Sequence, residues 1–141
     1  MNDRRSTHVS KCNCFALRKA ARAVSHLYDE RLESTGLRIT QFLCLMAIRD
    51  LSGITVHELA DELDLDRTTM GKNLLPLERD GLVRVGRAEK DARVKLIHLT
   101  AAGRQKLDEA LPLWRAAQSE MEDIMQGSLP NLRSALQLIK A

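Results

Sequence analysis

The middle of the chain decides the fold: TVHELADELDLDRTTMGKNLLPLERDG (residues 55–81) is followed by LVRVGRAEKDARVKLIHL (residues 82–99). Thr55 and Glu58 have the spacing of a capping box, in which the hydroxyl accepts from the third helical amide and the carboxylate reaches back. Asp66 can cap a second helix after a short turn. The stretch therefore begins with two short helices in close succession.

The second of these helices is predicted to run from Arg67 to about Asp80, where Gly81 can close it in a left-handed conformation. Two short helices joined by a turn of about three residues are typical of a helix-turn-helix, although two packed core helices would show the same spacing. Polar side chains crowd the front of the second helix, the end from which such helices contact bases, and this favours DNA binding. These side chains are Arg67, Thr68, Thr69, Lys72 and Asn73.

The next segment is predicted to be a β-hairpin, because branched apolar residues alternate with polar ones on both sides of a charged loop, residues 87–93. A charged run alone usually marks a solvated surface. Here it falls at the tip of a hairpin beside a recognition helix, where arginine can enter the minor groove, so we interpret the hairpin as a DNA-binding wing. The hairpin and the residues that flank it, 79–95, carry a local basic excess from Arg79, Arg84, Arg87, Lys90, Arg93 and Lys95.

Amphipathic helices flank this region on both sides. Apolar residues at helical spacing predict one helix from about Cys12 to Leu32 and a buried one over residues 40–50. Thr100 can cap a long helix to about Met125, and Ser128 can cap a last helix that ends at Ile139. The outer helices are more apolar than one winged domain needs, so we expect them to pair in a homodimer that sets two recognition helices one DNA turn apart.

The predicted fold is thus mainly α with a small β-hairpin wing. The single chain, residues 1–141, would have a winged helix-turn-helix region at 40–100 and dimerisation helices at 12–36 and 101–141.

Composition narrows the possible functions. No stretch of the sequence has the roughly 20 consecutive apolar residues that a membrane span needs, and the polar N-terminus does not resemble a secretory signal. We therefore expect no membrane partner and a cytoplasmic location. One Trp, one Tyr and two Phe are too few for a surface that stacks successive bases, which argues against single-strand binding. Double-stranded DNA remains the expected nucleic-acid partner.

From about Cys12 onward, the order of elements and several motifs in register resemble the MarR family of bacterial winged-helix regulators. The most specific match is Asp-Ala-Arg at 91–93 leading into Leu-Thr-Ala-Ala-Gly at 99–103, and Glu-Leu-Ala at 58–60 and Leu-Glu-Arg-Asp-Gly at 77–81 support it.

The resemblance implies a homodimer that binds a pseudo-palindromic operator, usually as a repressor released by a small phenolic or aromatic ligand or by oxidation. By position it implies that Arg93 enters the minor groove, with Asp91 orienting it. It also implies that Thr68, Thr69 and Lys72 face the major groove.

An effector pocket is expected in the crevice between the dimerisation helices and the winged domain. Its candidate residues, chosen from their helix positions, are Leu17, Ala21, Tyr28, Leu37, Phe42 and Met46.

Three cysteines, an odd number in a chain that needs no disulfides, predict free thiols, with Cys44 in the core. The sequence around Cys14 resembles the organic-peroxide-sensing branch of the family, which implies that this thiol is oxidised and that Tyr28 bonds it. Cys12 is the weaker redox candidate. Phe42 stands where that branch carries a further tyrosine, and a cysteine that only fills space is the alternative.

No spacing of His, Cys and Asp resembles a zinc site, and no phosphate loop, nucleophile elbow or triad is present, so we expect no metal, no cofactor and no enzyme activity. The expected partners are DNA, a second copy of the chain, and a small effector or an organic peroxide. Two other interpretations stay open. One is a winged-helix interaction module without DNA binding, and the other is a thiol redox protein built on Cys12 and Cys14.

Overall fold

The computed structural model describes residues 7–140, which contain six α-helices and a two-stranded antiparallel sheet. The elements, in chain order, are α1 (Asn13–Leu32), α2 (Ile39–Leu51), α3 (Val56–Glu62), α4 (Arg67–Arg79), β1 (Val83–Arg87), β2 (Lys95–Leu99), α5 (Ala101–Met125) and α6 (Leu129–Leu136). This confirms the predicted fold of a winged helix-turn-helix with additional helices at both ends.

The core is centred on α2, which contacts α1, α3, α4, α5 and β2. Phe42, Leu45 and Ile48 on α2 are almost completely buried, as the apolar sequence of this helix requires. Phe42 stacks on Trp114 of α5 with ring centroids 5.6 Å apart. The winged region is therefore packed directly against the long helix that follows it.

The helix starts of the central region follow the predicted capping. The Glu58 amide donates to the Thr55 hydroxyl at 3.1 Å, and the Glu58 carboxylate accepts from the Thr55 amide at 2.9 Å. Asp66 accepts from the Thr69 amide at 2.8 Å. The turn between α3 and α4, residues 63–66, is one residue longer than predicted, and Asp64 within it has a positive φ of 53°.

The hairpin pairs in register from Val83 opposite Leu99 to Arg87 opposite Lys95. Ile54, between α2 and α3, forms a bridge to Ile97 in which the Ile97 amide donates to the Ile54 carbonyl at 2.8 Å. This third short segment was not predicted. It ties the base of the wing to the turn before α3.

The side-chain bonds between α1 and α5 come from the C-terminal half of α1. The Tyr28 hydroxyl donates to Gln118 Oε1, and Arg31 Nη2 lies 2.5 Å from Glu120 Oε2. Burial raises the pKa of Tyr28, with the charge of Glu122 adding to the effect, so the phenol is held as a donor. Residues 13–23 of α1 are all exposed in the single chain.

The last helix differs from its prediction. The Ser128 hydroxyl does not cap α6, because it donates to the Met125 carbonyl at 2.5 Å and its own backbone is helical. Gln126 and Gly127, both with positive φ, form the turn before it. Helix α6 ends at Leu136 rather than Ile139, and none of its residues is buried.

Candidate nucleic-acid interface

The start of α4 is fixed by Asp66. Its Oδ1 accepts from the Thr69 amide at 2.8 Å and its Oδ2 from the Thr69 hydroxyl at 2.7 Å. These hydrogen bonds, the backbone one first, lower the pKa of Asp66. Because the Thr69 hydroxyl donates its hydrogen to Asp66, it can only accept a hydrogen bond from another partner. Thr69 therefore stabilises the start of α4 in addition to lying on its polar front.

The other polar residues of α4 separate cleanly from its core side. Arg67, Thr68 and Lys72 are exposed, and Asn73 is half-buried. The buried side of the helix consists of Met70, Leu74 and Leu77. The helix therefore presents a polar front of the kind predicted, at its N-terminal end.

Arg67 has a partner on the preceding helix. Its Nε donates to Nδ1 of His57 at 3.0 Å, and Nε2 of His57 lies 3.4 Å from Oδ2 of Asp61. A ring nitrogen that accepts from arginine carries no proton, so the contact requires neutral imidazole with its proton on Nε2. The two terminal amino groups of Arg67 form no hydrogen bond with any residue from 7 to 140. No local pattern predicts this contact, which joins residues ten positions apart across the turn.

The tip of the wing is shaped by Asp91. Its carboxylate accepts from the Arg93 amide at 3.0 Å, from Nε of Arg93 at 3.2 Å and from Nη2 at 3.4 Å. The amide bond, followed by the side-chain bonds, lowers the pKa of Asp91. The Arg93 side chain is 93% exposed. Asp91 thus orients an arginine that projects from the wing. Arg87, the last residue of β1, and Lys90 in the loop are exposed nearby.

The base of the wing is locked onto the start of α5. The Thr100 hydroxyl donates to the Gly81 carbonyl at 2.6 Å and accepts from the Gly103 amide at 2.9 Å. A Cβ at position 103 would overlap the Leu82 carbonyl. This packing gives a physical reason for two residues of the Leu-Thr-Ala-Ala-Gly motif. The threonine hydroxyl joins the end of α4 to the start of α5, and the glycine leaves space for the Leu82 carbonyl.

The six candidate effector residues lie in different surroundings. Leu37 and Phe42 belong to the core, Tyr28 is buried, and Met46 packs against the core. Leu17 and Ala21 lie in the exposed N-terminal half of α1. Leu17 lies about 16 Å along the helix axis from Tyr28, so one chain does not bring all six together.

The cysteines divide into two groups. Cys12, just before α1, and Cys14, in its first turn, are exposed free thiols, whereas Cys44 is buried. Burial raises the pKa of Cys44 to about 11, which keeps it a thiol. The prediction of a core position for Cys44 is confirmed.

Within residues 7–140, no group of three or more His, Cys, Asp or Glu side chains could hold a metal ion. In the same part of the chain, no helix combines the length and hydropathy that crossing a bilayer requires.

A helix-turn-helix with a polar recognition helix, followed by a wing that carries an oriented arginine, defines a DNA-binding transcription regulator of the winged-helix class. A family model described as the MarR family matches residues 35–94. The transcriptional regulator MosR of M. tuberculosis is 41% identical, with a TM-score of 0.75, and the match covers 89% of this chain and 90% of MosR. The chain belongs to the MarR family, and its members are transcriptional regulators rather than enzymes.

Two similar structures contain a bound partner, and a further relative is named for organic hydroperoxide resistance. A structure of MosR in complex with DNA is 40% identical at a TM-score of 0.73, covering 92% of this chain and 99% of that one. CouR from Rhodococcus jostii RHA1, bound to p-coumaroyl-CoA, is 28% identical at a TM-score of 0.77, with 94% of each chain covered. The organic hydroperoxide resistance transcriptional regulator of Bacillus subtilis (strain 168) is 29% identical over 100 residues, which are 71% of this chain and 68% of that protein.

Proposed function

We propose that this chain is a homodimeric repressor that binds a pseudo-palindromic operator and is released by a small aromatic effector or by cysteine oxidation. One observation carries the proposal: the polar front of α4 is followed in the chain by a wing whose Arg93 is oriented by Asp91. A helix in the major groove and an arginine in the adjacent minor groove make the contacts that such regulators need.

Each predicted contact residue then has a role that follows from its chemistry. Thr68 and Lys72 reach base edges or phosphates in the major groove. The Thr69 hydroxyl can contact DNA only as a hydrogen-bond acceptor. The free amino groups of Arg67 can bind a guanine or a phosphate in a bidentate manner. On the wing, Arg87 and Lys90 contact phosphates, and Asn73 lies at the edge of the major-groove contact.

The proposed dimer uses residues 12–36 and 101–141. Exposed apolar side chains are concentrated on these segments, as expected for surfaces that a second chain covers. They are Phe15, Leu17, Ile124, Leu136, Leu138 and Ile139. Two-fold pairing of these helices would place the two copies of α4 about 34 Å apart, which is one turn of DNA.

Release by a ligand requires an effector that binds the DNA-incompetent spacing of the two recognition helices better than the competent one. A pocket containing both Leu17 and Tyr28 would have to be completed by the second chain, because the two lie far apart within one. CouR bound to p-coumaroyl-CoA supports an aromatic ligand for a regulator of this fold.

Release by oxidation would start at Cys14. Its thiolate attacks an oxygen of an organic hydroperoxide, the O–O bond breaks, and the products are a sulfenic acid on Cys14 and an alcohol. Tyr28 lies 14 residues further along the same helix, about 21 Å away, so a phenol that bonds this sulfur would belong to the second chain. The similarity to the organic hydroperoxide resistance regulator supports this branch of the proposal.

The test is a fluorescence-anisotropy titration with duplex DNA from the chain's own upstream region, using reduced protein, then protein treated with organic hydroperoxide, then protein restored with dithiothreitol. Loss of binding on oxidation, absent in Cys14→Ser but present in Cys12→Ser, supports the cysteine switch. Binding unaffected by peroxide leaves the aromatic effector as the release mechanism. Failure to bind any duplex would overturn DNA binding and favour the interaction module.

A further inference from the structure

The exposed surface of α4 contains one apolar side chain, Leu75, which is 65% exposed. The other exposed residues of this helix are Arg67, Thr68, Lys72, Glu78 and Arg79. Within residues 40–100, the winged region, Leu51 at the end of α2 is the only other large apolar side chain that is exposed. The segments of the proposed dimer lie outside this region, so a second chain does not account for the exposure of Leu75.

Leu75 lies on the face of α4 that is expected to meet the major groove. Thr68, Lys72 and Leu75 follow the i, i+4, i+7 spacing of residues on one face of a helix. Leu75 is about 4.5 Å beyond Lys72 along the helix axis. The buried residues Met70 and Leu74 lie on a different face. The leucine therefore extends the polar front of α4 by one turn.

An open groove of about 480 Å³ separates Leu75 from the inner face of the hairpin. Arg87 and Lys95 line it on the hairpin side and stand opposite each other across the two strands. Neither side chain forms a hydrogen bond or ion pair with any residue from 7 to 140. The groove has two basic residues against one acidic residue, Glu78.

The charge of this groove indicates what covers Leu75. Like charges directly opposite each other destabilise a hairpin, and an anion near Arg87 and Lys95 would relieve their repulsion. A polyanion such as duplex DNA is attracted to this side of α4, and its backbone would pass beside Leu75. An apolar protein surface would bury the two charges without giving them a partner.

The chemistry of leucine limits which part of the duplex it can contact. Its side chain has no hydrogen-bond donor or acceptor for a phosphate or for the polar atoms of a base edge. The apolar group that a base pair presents in the major groove is the 5-methyl group of thymine. We propose that Leu75 contacts a thymine methyl group in each half-site and is a specificity-determining residue. This inference rests on the proposed function, because it requires α4 to lie in the major groove.

The experiment compares two forms of the duplex from the chain's own upstream region, one synthesised with thymidine and one with deoxyuridine triphosphate. Uracil pairs as thymine does and lacks only the 5-methyl group. In anisotropy titrations, we expect the unchanged protein to bind the thymine duplex at least about fourfold more tightly per half-site, the value for burying one methyl-sized group. Leu75→Ala should lose this preference, whereas Leu75→Met, which stays apolar and long, should keep most of it.

Leu51→Ala is the matched control, since it truncates the other exposed leucine of the winged region and leaves α4 unchanged. It should prefer the thymine duplex as strongly as the unchanged protein does. Because Leu75 is exposed, its variants should fold, and circular dichroism checks this.

Two results would overturn the role of Leu75 alone. In the first, the unchanged protein binds both duplexes equally tightly, a result that does not depend on any variant. In the second, folded Leu75→Ala keeps the full preference, so another residue such as Thr68 contacts the methyl group. Failure of the unchanged protein to bind the thymine duplex would overturn the proposed function and this inference together.

Discussion

Arg67 and His57 join the two helices of the helix-turn-helix through a 3.0 Å hydrogen bond from Nε of the arginine to Nδ1 of the histidine. Asp61, 3.4 Å from the other ring nitrogen, completes the chain of contacts. Because Nε is occupied and the terminal amino groups are not, the guanidinium is held in one orientation before it meets DNA. Side chains ordered in advance lose less conformational entropy on binding.

The first prediction is that His57→Ala weakens DNA binding by about two- to tenfold, the range that corresponds to ordering one long side chain on binding. Anisotropy titrations with the same duplex measure this effect. The matched control is His26→Ala on α1, another exposed histidine with an acidic residue at i+4, Glu30 at 3.1 Å. Equal affinities for His57→Ala and the unchanged protein would show that Arg67 needs no such support.

The second prediction concerns the wing. Arg93→Ala should reduce the slope of log affinity against log salt concentration by about one unit per wing, because one phosphate-neutralising charge is lost from each. Asp91→Glu keeps both charges but moves the carboxylate that orients Arg93, so it should lower affinity with little change in slope. Arg115→Ala on α5 serves as the control for loss of an exposed arginine. An unchanged slope in Arg93→Ala would remove the wing from the interface.

The helix starts could be predicted from the sequence because their determinants are local. Thr55, Asp66 and Thr100 each bond an amide three residues ahead, and that spacing is visible in the chain. Ser128 has a residue type that favours capping, but the prediction that it caps α6 is wrong. Gln126 and Gly127 turn the chain before it, and its hydroxyl donates to the Met125 carbonyl at the end of α5. Residue type alone does not fix the conformation of the turn.

Contacts between distant parts of the chain could not be predicted from the sequence. The Tyr28 hydroxyl bonds Gln118, 90 positions away, and Arg67 bonds His57 across a turn whose length was underestimated. Position along a helix orders residues on an axis but does not show which of them face a common cavity, so it does not group the six candidate effector residues.

The third prediction tests the link between the wing and α5. Gly103→Ala should reduce the free energy of unfolding by about 3 kcal/mol, at the upper end of the usual cost of overpacking, because the new Cβ meets the Leu82 backbone, which cannot rotate away. Gly71→Ala is the matched control, since a Cβ at that position of α4 meets nothing within 4 Å. It should stabilise the chain by about 0.5–1 kcal/mol. Urea unfolding of both variants gives the comparison, and similar stabilities would contradict the close packing at position 103.

The fourth prediction concerns the thiols. With dithionitrobenzoate at pH 8, the exposed Cys12 and Cys14 should react at once, whereas Cys44 should react only as the chain unfolds. Burial raises the pKa of Cys44 to about 11, so the reactive thiolate is scarce even in moderately alkaline solution.

The same shift gives a pH dependence with a definite sign. The fold favours the protonated thiol of Cys44, so the stability that this preference contributes is complete below the ordinary thiol pKa of about 8.5 and is lost as the pH rises through about 11. In urea unfolding, the unchanged protein should therefore lose more stability over that interval than Cys44→Ala. The two proteins share every other ionisable group, so the difference between the two curves isolates Cys44. Parallel curves, or three thiols that react at one fast rate in the folded chain, would contradict a buried Cys44.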